Sequence, residues 1–362
     1  MDAEVTDLAR ELVAIPSHDD ETAAGDAIEA WLREETDAAV TRDDAGNVTA
    51  RKGPAEAPSL ALVGHHDVVP PDDPQVDGEA YVVEERDGRL YGRGSADMKG
   101  AVAAMLVAFR DADPAWDLRF ASFVGEEVGG EGAQAAIDRG FVPDYAVVAE
   151  GSTGYSAPGV TDVAVAHKGR RGIAITATGA SAHAANAEAG ENAIYRACDA
   201  VEAVRAMDPP TREVLGHELT GSVVVTEIEG GSAMNVVPER CTVTVDARTV
   251  PGWEAPMDAI EGLPGVAWET EGEFPAMACE DEAFADRVLA VAASVQPGEP
   301  EQVVKPHATD AGWLASAGTT CVVCGPAEPG EAHTADESVS LDVLERCRDL
   351  SLALAERGEG MA

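Results

Sequence analysis

The sequence predicts an α/β protein: a mostly parallel sheet with helices on both faces, interrupted by a smaller inserted α+β domain. Two patterns carry this. Short continuous apolar runs at 60–63, 118–124 and 144–149 are divided by amphipathic helical segments, as in strands buried on both faces of a parallel sheet. Beyond Val165 the rhythm changes, and SVVVTEIEG and CTVTVDARTV alternate with period two, the mark of an antiparallel sheet with one open face backed by helices. After about residue 274 helices and short apolar strands resume. The expected domains are therefore 1–166 with 275–362, and an insert of antiparallel sheet plus two helices at 167–274. A length of 362 residues also exceeds one compact core of ordinary size.

Residues 3–14 place Val5, Leu8, Ala9 and Leu12 on one helical stripe, bounded by Pro16. A second helix fits 20–35, and strands fit 47–51 and 60–63. Residues 70–88 read as polar and irregular. Leu90 and Tyr91 lead into GRGSADMKG and a small, apolar helix at 101–109. Strand, helix, strand follow at 118–124, 131–138 and 144–149. The insert is expected to hold two strand segments in VAHKGRRGIAITATG, a helix at 188–207, the two alternating strands, a helix at 254–261 and then WETEGE. The last stretch reads as helix 282–295, strand 301–304, helix 310–317, strand 320–323 and helix 338–355.

The formal net charge of −42 arises from 67 acidic against 25 basic residues, scattered through periodic segments. Such a surface resembles that of proteins from a salt-saturated cytoplasm. It repels nucleic acid and anionic lipid, so neither is an expected partner. No apolar run approaches 18 residues, and MDAEVTDLARELV is not a cationic, apolar leader; a soluble protein of a high-salt cytoplasm is expected. The lysines are Lys52, Lys99, Lys168 and Lys305. Six cysteines are too few for a disulfide framework, and the Cys321–Cys324 pair in TTCVVCG has no second pair to complete a thiolate metal site.

Residues that bind metals collect at strand ends. His65 and Asp67 follow the 60–63 strand as an i, i+2 pair that an extended backbone points the same way. Asp97 lies in a glycine-rich loop beside Lys99, Glu126 and Glu127 follow Val124, Glu150 follows VVA, and His333 lies near the carboxyl end. His65, Asp97, Glu127, Glu150 and His333 make a shell for two divalent ions about 3.5 Å apart, one carboxylate bridging. Mixed nitrogen and oxygen donors suit zinc, with cobalt as a substitute, better than magnesium.

These segments resemble a family, the co-catalytic dimetal metallopeptidases that include aminoacylases, acetylornithine deacetylase, succinyl-diaminopimelate desuccinylase, LysW-lysine hydrolase and glutamate carboxypeptidases. The resemblance spans nearly the whole chain. GHHDVVP at 64–70 resembles the segment that makes His65 a ligand and Asp67 its orienting partner. YGRGSADMKG at 91–100 resembles the segment with the bridging carboxylate, Asp97, and implies a cis bond to Met98. GEE at 125–127 implies Glu126 as general base and Glu127 as ligand. VVAEGS implies that Glu150 shares one metal with His65, and EAHTADE that His333 shares the other with Glu127.

GASAH at 179–183 resembles a lid motif whose histidine reaches the substrate of the opposing subunit, so the resemblance implies a homodimer built through the insert, with His183 stabilising an oxyanion. Arg248 and Asn235 are expected to hold a substrate α-carboxylate, with Arg170 or Arg171 of the GRRG turn as further contacts and Gly325 offering a backbone contact. The implied activity is hydrolysis of the amide of an N-acyl-L-amino acid. Succinyl-diaminopimelate is the first choice, because GRRG and a basic pocket suit a dicarboxylate acyl group. Acetylornithine, LysW-linked lysine or ornithine, and dipeptides are the alternatives. A metal-dependent protein that only binds an amino-acid derivative is the reading outside enzymes; it has no use for an acid such as Glu126 beside the ligands.

Overall fold

The computed structural model describes residues 3–357; residues 1–2 and 358–362, the outer ends of the expected catalytic segments, lie outside them. The chain divides into two compact units. One runs to Ala166 and takes up again over Met277–Lys305 and from Thr309 onward; the other comprises His167–Ala276 with Pro306–Ala308.

The larger unit is organised on four parallel strands in the order Asp117–Phe123, Ser59–His65, Tyr145–Val148 and Thr320–Val323. Antiparallel strands flank them: Val48–Lys52 and then Ala39–Arg42 on one side, Val163–His167 on the other, with Met277–Ala278 and Gln302–Lys305 beside the last. Every residue of Ser59–His65 is buried, as a strand covered on both faces requires. The helix Lys99–Asp111 is buried along nearly all its length. Its close approach to the sheet needs a glycine opposite, since a Cβ on Gly64 would lie 2.7 Å from the Met98 methyl and 2.9 Å from that of Met105. Among the described residues, no helix is long and apolar enough to cross a membrane.

The smaller unit holds a four-stranded antiparallel sheet ordered Ser222–Gly230, Arg240–Thr249, Gly169–Thr178, Val266–Phe274. Period-two alternation sends Ile173, Ile175, Val243 and Val245 into a core shared with Ala193, Ala197, Ala200 and Val204, residues of the helix Ala193–Arg205. The fold class is thus the one that the hydrophobic periods predict.

Several elements differ in extent. The helix expected from residue 188 begins at Ala193, because the Asn192 side chain caps it by accepting from the backbone N–H groups of Ile194 and Tyr195. The expected 254–261 helix shrinks to Asp258–Glu261, since Pro256 disfavours helical backbone at Ala255. The strand Ala39–Arg42 has a half-exposed pattern that leaves little hydrophobic signal. Within 70–88, Val76–Asp77 pairs with Ala80–Tyr81, and Glu84–Arg86 pairs with Arg89–Tyr91.

Candidate metal centre

The carboxyl ends of parallel strands are where α/β sheets gather chemistry. Three of them supply His65, the Glu126–Glu127 turn and Glu150. His65 ends its strand fully buried, with Nε2 at 3.1 Å from Asp97 Oδ1 and 3.3 Å from Glu150 Oε1. Its Nδ1 faces Asp67, 3.1 Å from the carbonyl oxygen and 3.2 Å from Oδ1. The other Asp67 oxygen accepts from the Glu127 N–H at 2.9 Å, so this one acid ties the imidazole to the paired glutamates.

Asp97 enters from the loop before the Lys99–Asp111 helix, and its bond to Met98 is cis, as the resemblance implies. Its second oxygen, Oδ2, lies 3.1 Å from His333 Nε2. The same nitrogen lies 2.9 Å from Glu127 Oε1. Asp97 therefore turns one oxygen to each imidazole. His333 has φ 59°, a left-handed conformation that histidine, like asparagine and aspartate, adopts more often than other non-glycine residues; it lies on the half-exposed side of the cluster.

Two groups of donors, His65 with Glu126 and Glu150, and His65 with Asp97 and Glu127, each have ligand atoms within 4.8 Å of one another. Donors on one tetrahedral zinc stand about 3.3 Å apart given metal–ligand bonds of about 2.0–2.2 Å, close to the separations found. Both groups share His65, whose one metal-facing nitrogen serves a single ion; with Asp97 Oδ2 and Glu127 Oε1 at 3.1 and 2.9 Å from His333 Nε2 as a second set, the residues present fit two divalent ions.

Electrostatics agree with a site built around positive charge. Burial drives the Glu126 carboxyl well above its ordinary range, Glu150, Asp310 and Glu127 adding to the rise and His65 opposing it. Burial likewise raises Glu127, with Asp97 adding and His333 opposing. Against the cost of burial, hydrogen bonds from His333 and His65 hold Asp97 far below the usual carboxylate range. Hydrogen bonds to Asp97 and Glu127 push His333 up to about 10.

Three residues at the site were not singled out from the sequence. Glu337, buried at 1% exposure, accepts through Oε1 from the N–H groups of Gly94, Ala96 and Asp97 at 2.9, 3.1 and 3.2 Å. Its Oε2 accepts from Arg93 Nη1 at 2.6 Å, so it fixes the loop that delivers Asp97. Lys305, also buried, holds Nζ 4.0 Å from Glu150 Oε2; burial pushes its pKa down while Glu150, Asp97 and Glu126 act upward. Asp310 is buried with neither carboxylate oxygen hydrogen-bonded among the described residues. Burial and the neighbouring Asp67, Glu150 and Glu127 lift it to about 8, with His65 opposing. A usable signal existed for Lys305 in the sparseness of lysine, since only four occur in the chain.

The expected substrate residues divide between the units. In the smaller one, His183 is exposed, with Nδ1 accepting from the Ala185 N–H at 3.2 Å. Asn235 lies beside it through the pairing of His183 with Val236 and the bond from Ala184 N–H to the Asn235 carbonyl at 2.9 Å. Arg248 forks onto Asp246, Nε to Oδ1 at 2.7 Å and Nη2 to Oδ2 at 3.1 Å, and Arg170 stands opposite it in the sheet with Nε 3.8 Å from Asp246 Oδ2. Arg171 is separated from this pair, bonded to Glu254 and Thr270 over the Trp268 ring.

Gly325, in the larger unit, does not present a free N–H. The N–H donates to Ser152 Oγ at 3.1 Å, while the carbonyl accepts from Ser152 N–H and Thr153 Oγ1. A Cβ there would lie 2.0 Å from the Ala149 carbonyl oxygen, so glycine is required for packing beside the Glu150 segment. Cys321 and Cys324 are buried free thiols, with Cys324 pushed up to about 12 by burial.

Residues 61–357 match the family described as Peptidase family M20/M25/M40. An acetylornithine deacetylase of Myxococcus xanthus is 31% identical over 330 residues, covering 84% of this chain and 83% of its own. A succinyl-diaminopimelate desuccinylase of Stenotrophomonas maltophilia is 30% identical over 330 residues, covering 83% and 84%. The crystal structure of aminopeptidase PepT from Bacillus cereus shares the fold, with a TM-score of 0.80 at 19% identity over 98% of this chain and 97% of that one. With the family match spanning most of the sequence and the donor clusters in place, the chain belongs to peptidase family M20/M25/M40 and is a metal-dependent hydrolase.

Proposed function

We propose that the protein hydrolyses the amide of an N-acyl-L-amino acid at a dinuclear zinc centre, with succinyl-diaminopimelate the favoured substrate. The observation that carries this reading is Asp97, one oxygen toward His65 and the other toward His333, with buried Glu126 alongside. In this reading His65 and Glu150 would hold one ion and Glu127 and His333 the other, with Asp97 available to both through its two oxygens. When bound, the metal pair supplies Lewis-acid polarisation of the carbonyl and acidification of water. Asp67 fixes the His65 ring through Nδ1. Glu126 takes the proton from the attacking water and passes it to the departing amine. His183 stabilises the developing oxyanion, and Arg248 with Asn235 holds the α-carboxylate.

The relatives named for acetylornithine and succinyl-diaminopimelate are similarly identical to this chain and support an acylated amino acid. Preference for the succinyl group rests on Arg170 and Arg248 sharing one neighbour, Asp246, which gives two cations on one side of the sheet for a dicarboxylate. Arg171 stands apart from this pair, over the Trp268 ring, and is not assigned to substrate. The test is hydrolysis in molar KCl with zinc or cobalt, offering N-succinyl-diaminopimelate, N-acetylornithine, a γ-glutamyl-linked lysine and several dipeptides. Release of the free amine is expected, fastest with the succinyl compound. Tight binding of one member without turnover of any would favour the binding-protein reading.

The proposal extends to a homodimer joined through the smaller unit, in a high-salt cytoplasm. Its support is the edge strand Ser222–Gly230, which among the described residues pairs only with Arg240–Thr249 in its sheet and exposes Val224 at 52% and Ile228 at 54%. Exposed apolar side chains on an open edge invite a second strand. With a net charge of −42, self-repulsion opposes both folding and association until salt screens it. Sedimentation and thermal melts across 0.1 to 3 M KCl are expected to give a dimer and a rising Tm at the high end; a fully active monomer in molar KCl would remove the dimer and the role of His183 across it.

A further inference from the structure

Lys305 ends the strand Gln302–Lys305 at 4% exposure. Burying an ammonium is costly unless an opposite charge compensates. The ion pair recorded for it among the described residues is with Glu150 Oε2, at 4.0 Å. That distance is too long for a hydrogen bond, so the hold on Oε2 is ionic. The other oxygen of the same carboxylate, Oε1, faces His65 Nε2 at 3.3 Å. Glu150 is thus polarised between two neighbours, one oxygen toward the histidine and one toward the lysine.

A carboxylate offers a metal either one oxygen or both, and the second oxygen occupies a position that a hydrolytic ion must leave open for water or substrate. An arginine here would engage both oxygens with its planar fork, whereas the ammonium of lysine acts as a point charge on one. We propose that Lys305 is a positioning residue that restrains Glu150 Oε2 and leaves Oε1 as the single donor at the metal shared with His65. This inference rests on the dinuclear reading above.

Cobalt reports the difference directly, because four- and five-coordinate Co²⁺ absorbs visible light more strongly than six-coordinate Co²⁺. The full-length protein, loaded with Co²⁺ in molar KCl, is compared with Lys305→Met by absorption and by metal titration. Lys305→Met is expected to lower the visible absorption, as Oε2 joins Oε1 at the metal, and to tighten one of the two ions, since a ligand oxygen is gained and a cation beside the site is lost. In a Glu150→Gln background, where the side chain has one oxygen to offer, Lys305→Met is expected to leave the absorption unchanged. An unchanged spectrum in Lys305→Met, or equal changes of absorption in both backgrounds, would overturn the inference. So would a raised KM with an unaltered cobalt spectrum, which would put Lys305 on the substrate instead. If Lys305→Met does not fold by circular dichroism, Lys305→Gln enters the same cycle with the same expected outcomes. Uptake of fewer than two Co²⁺ by the unaltered protein would instead count against the dinuclear reading.

Discussion

Replacing Glu126 by glutamine is expected to leave two metals bound and to reduce kcat by about 10²- to 10⁴-fold, the span that a positioned proton acceptor contributes. Glutamine keeps the shape and the oxygen but cannot take up a proton. Glu126 is 7% exposed and lies in the same donor group as His65 and Glu150, their donor atoms within 4.8 Å of one another. Glu127→Gln is the matched comparison: Glu127 faces His333 at 2.9 Å, so its loss is expected to weaken one metal. Metal content by elemental analysis, set against single-turnover rates, separates the two. Turnover near the unaltered rate in Glu126→Gln would mean that another group accepts the proton.

The second large effect is expected at Glu337. Its truncation to alanine strips three loop N–H groups and the Arg93 guanidinium of their acceptor. Arg93 is itself 2% exposed and would keep the half-exposed Asp72, 3.4 Å away; breaking a buried ion pair costs up to about 3–5 kcal/mol. Chemical denaturation in molar KCl is expected to show a loss of that size for Glu337→Ala. Glu337→Gln retains an oxygen for the N–H groups while giving up the charge that faces Arg93, and should fall between. Metal affinity is expected to drop alongside stability in both variants, because the same contacts hold the backbone of Asp97. A stable Glu337→Ala protein with full metal affinity would show that the loop is held by other means.

Candidate ligands were legible where they sit beside a local signature: an apolar run before His65, another before Glu150, a glycine-bracketed loop around Asp97. The parallel core was legible for the same reason, since doubly buried strands read as continuous hydrophobic runs. What lay outside the sequence was created by closure of the chain. Glu337 joins a loop some 240 residues away, and nothing beside it in EAHTADE distinguishes it from an acid on the surface. Asp310 reads as the start of a helix, and only the fold surrounds it with other carboxylates. Gly325 is the opposite case: its position after a strand suggests a substrate contact, while its backbone N–H and carbonyl already have partners within the fold. The strand Ala39–Arg42 was missed because an edge strand with one exposed side needs little hydrophobicity.

The strands that flank the smaller unit, Val163–His167 and Met277–Ala278, are neighbours in the main sheet, and the Cys279 N–H donates to the Val165 carbonyl at 2.8 Å. To the larger unit, everything from His167 to Ala276 is therefore one long loop whose two ends are already pinned side by side. The entropy of closing such a loop grows only with the logarithm of its length, about 0.6 kcal/mol for each doubling. Residues can be gained or lost between those ends at a cost well below that of one buried ion pair. The smaller unit is thus free to diversify by insertion and deletion, while the geometry of the candidate metal donors stays under the separate and stricter control of the parallel core.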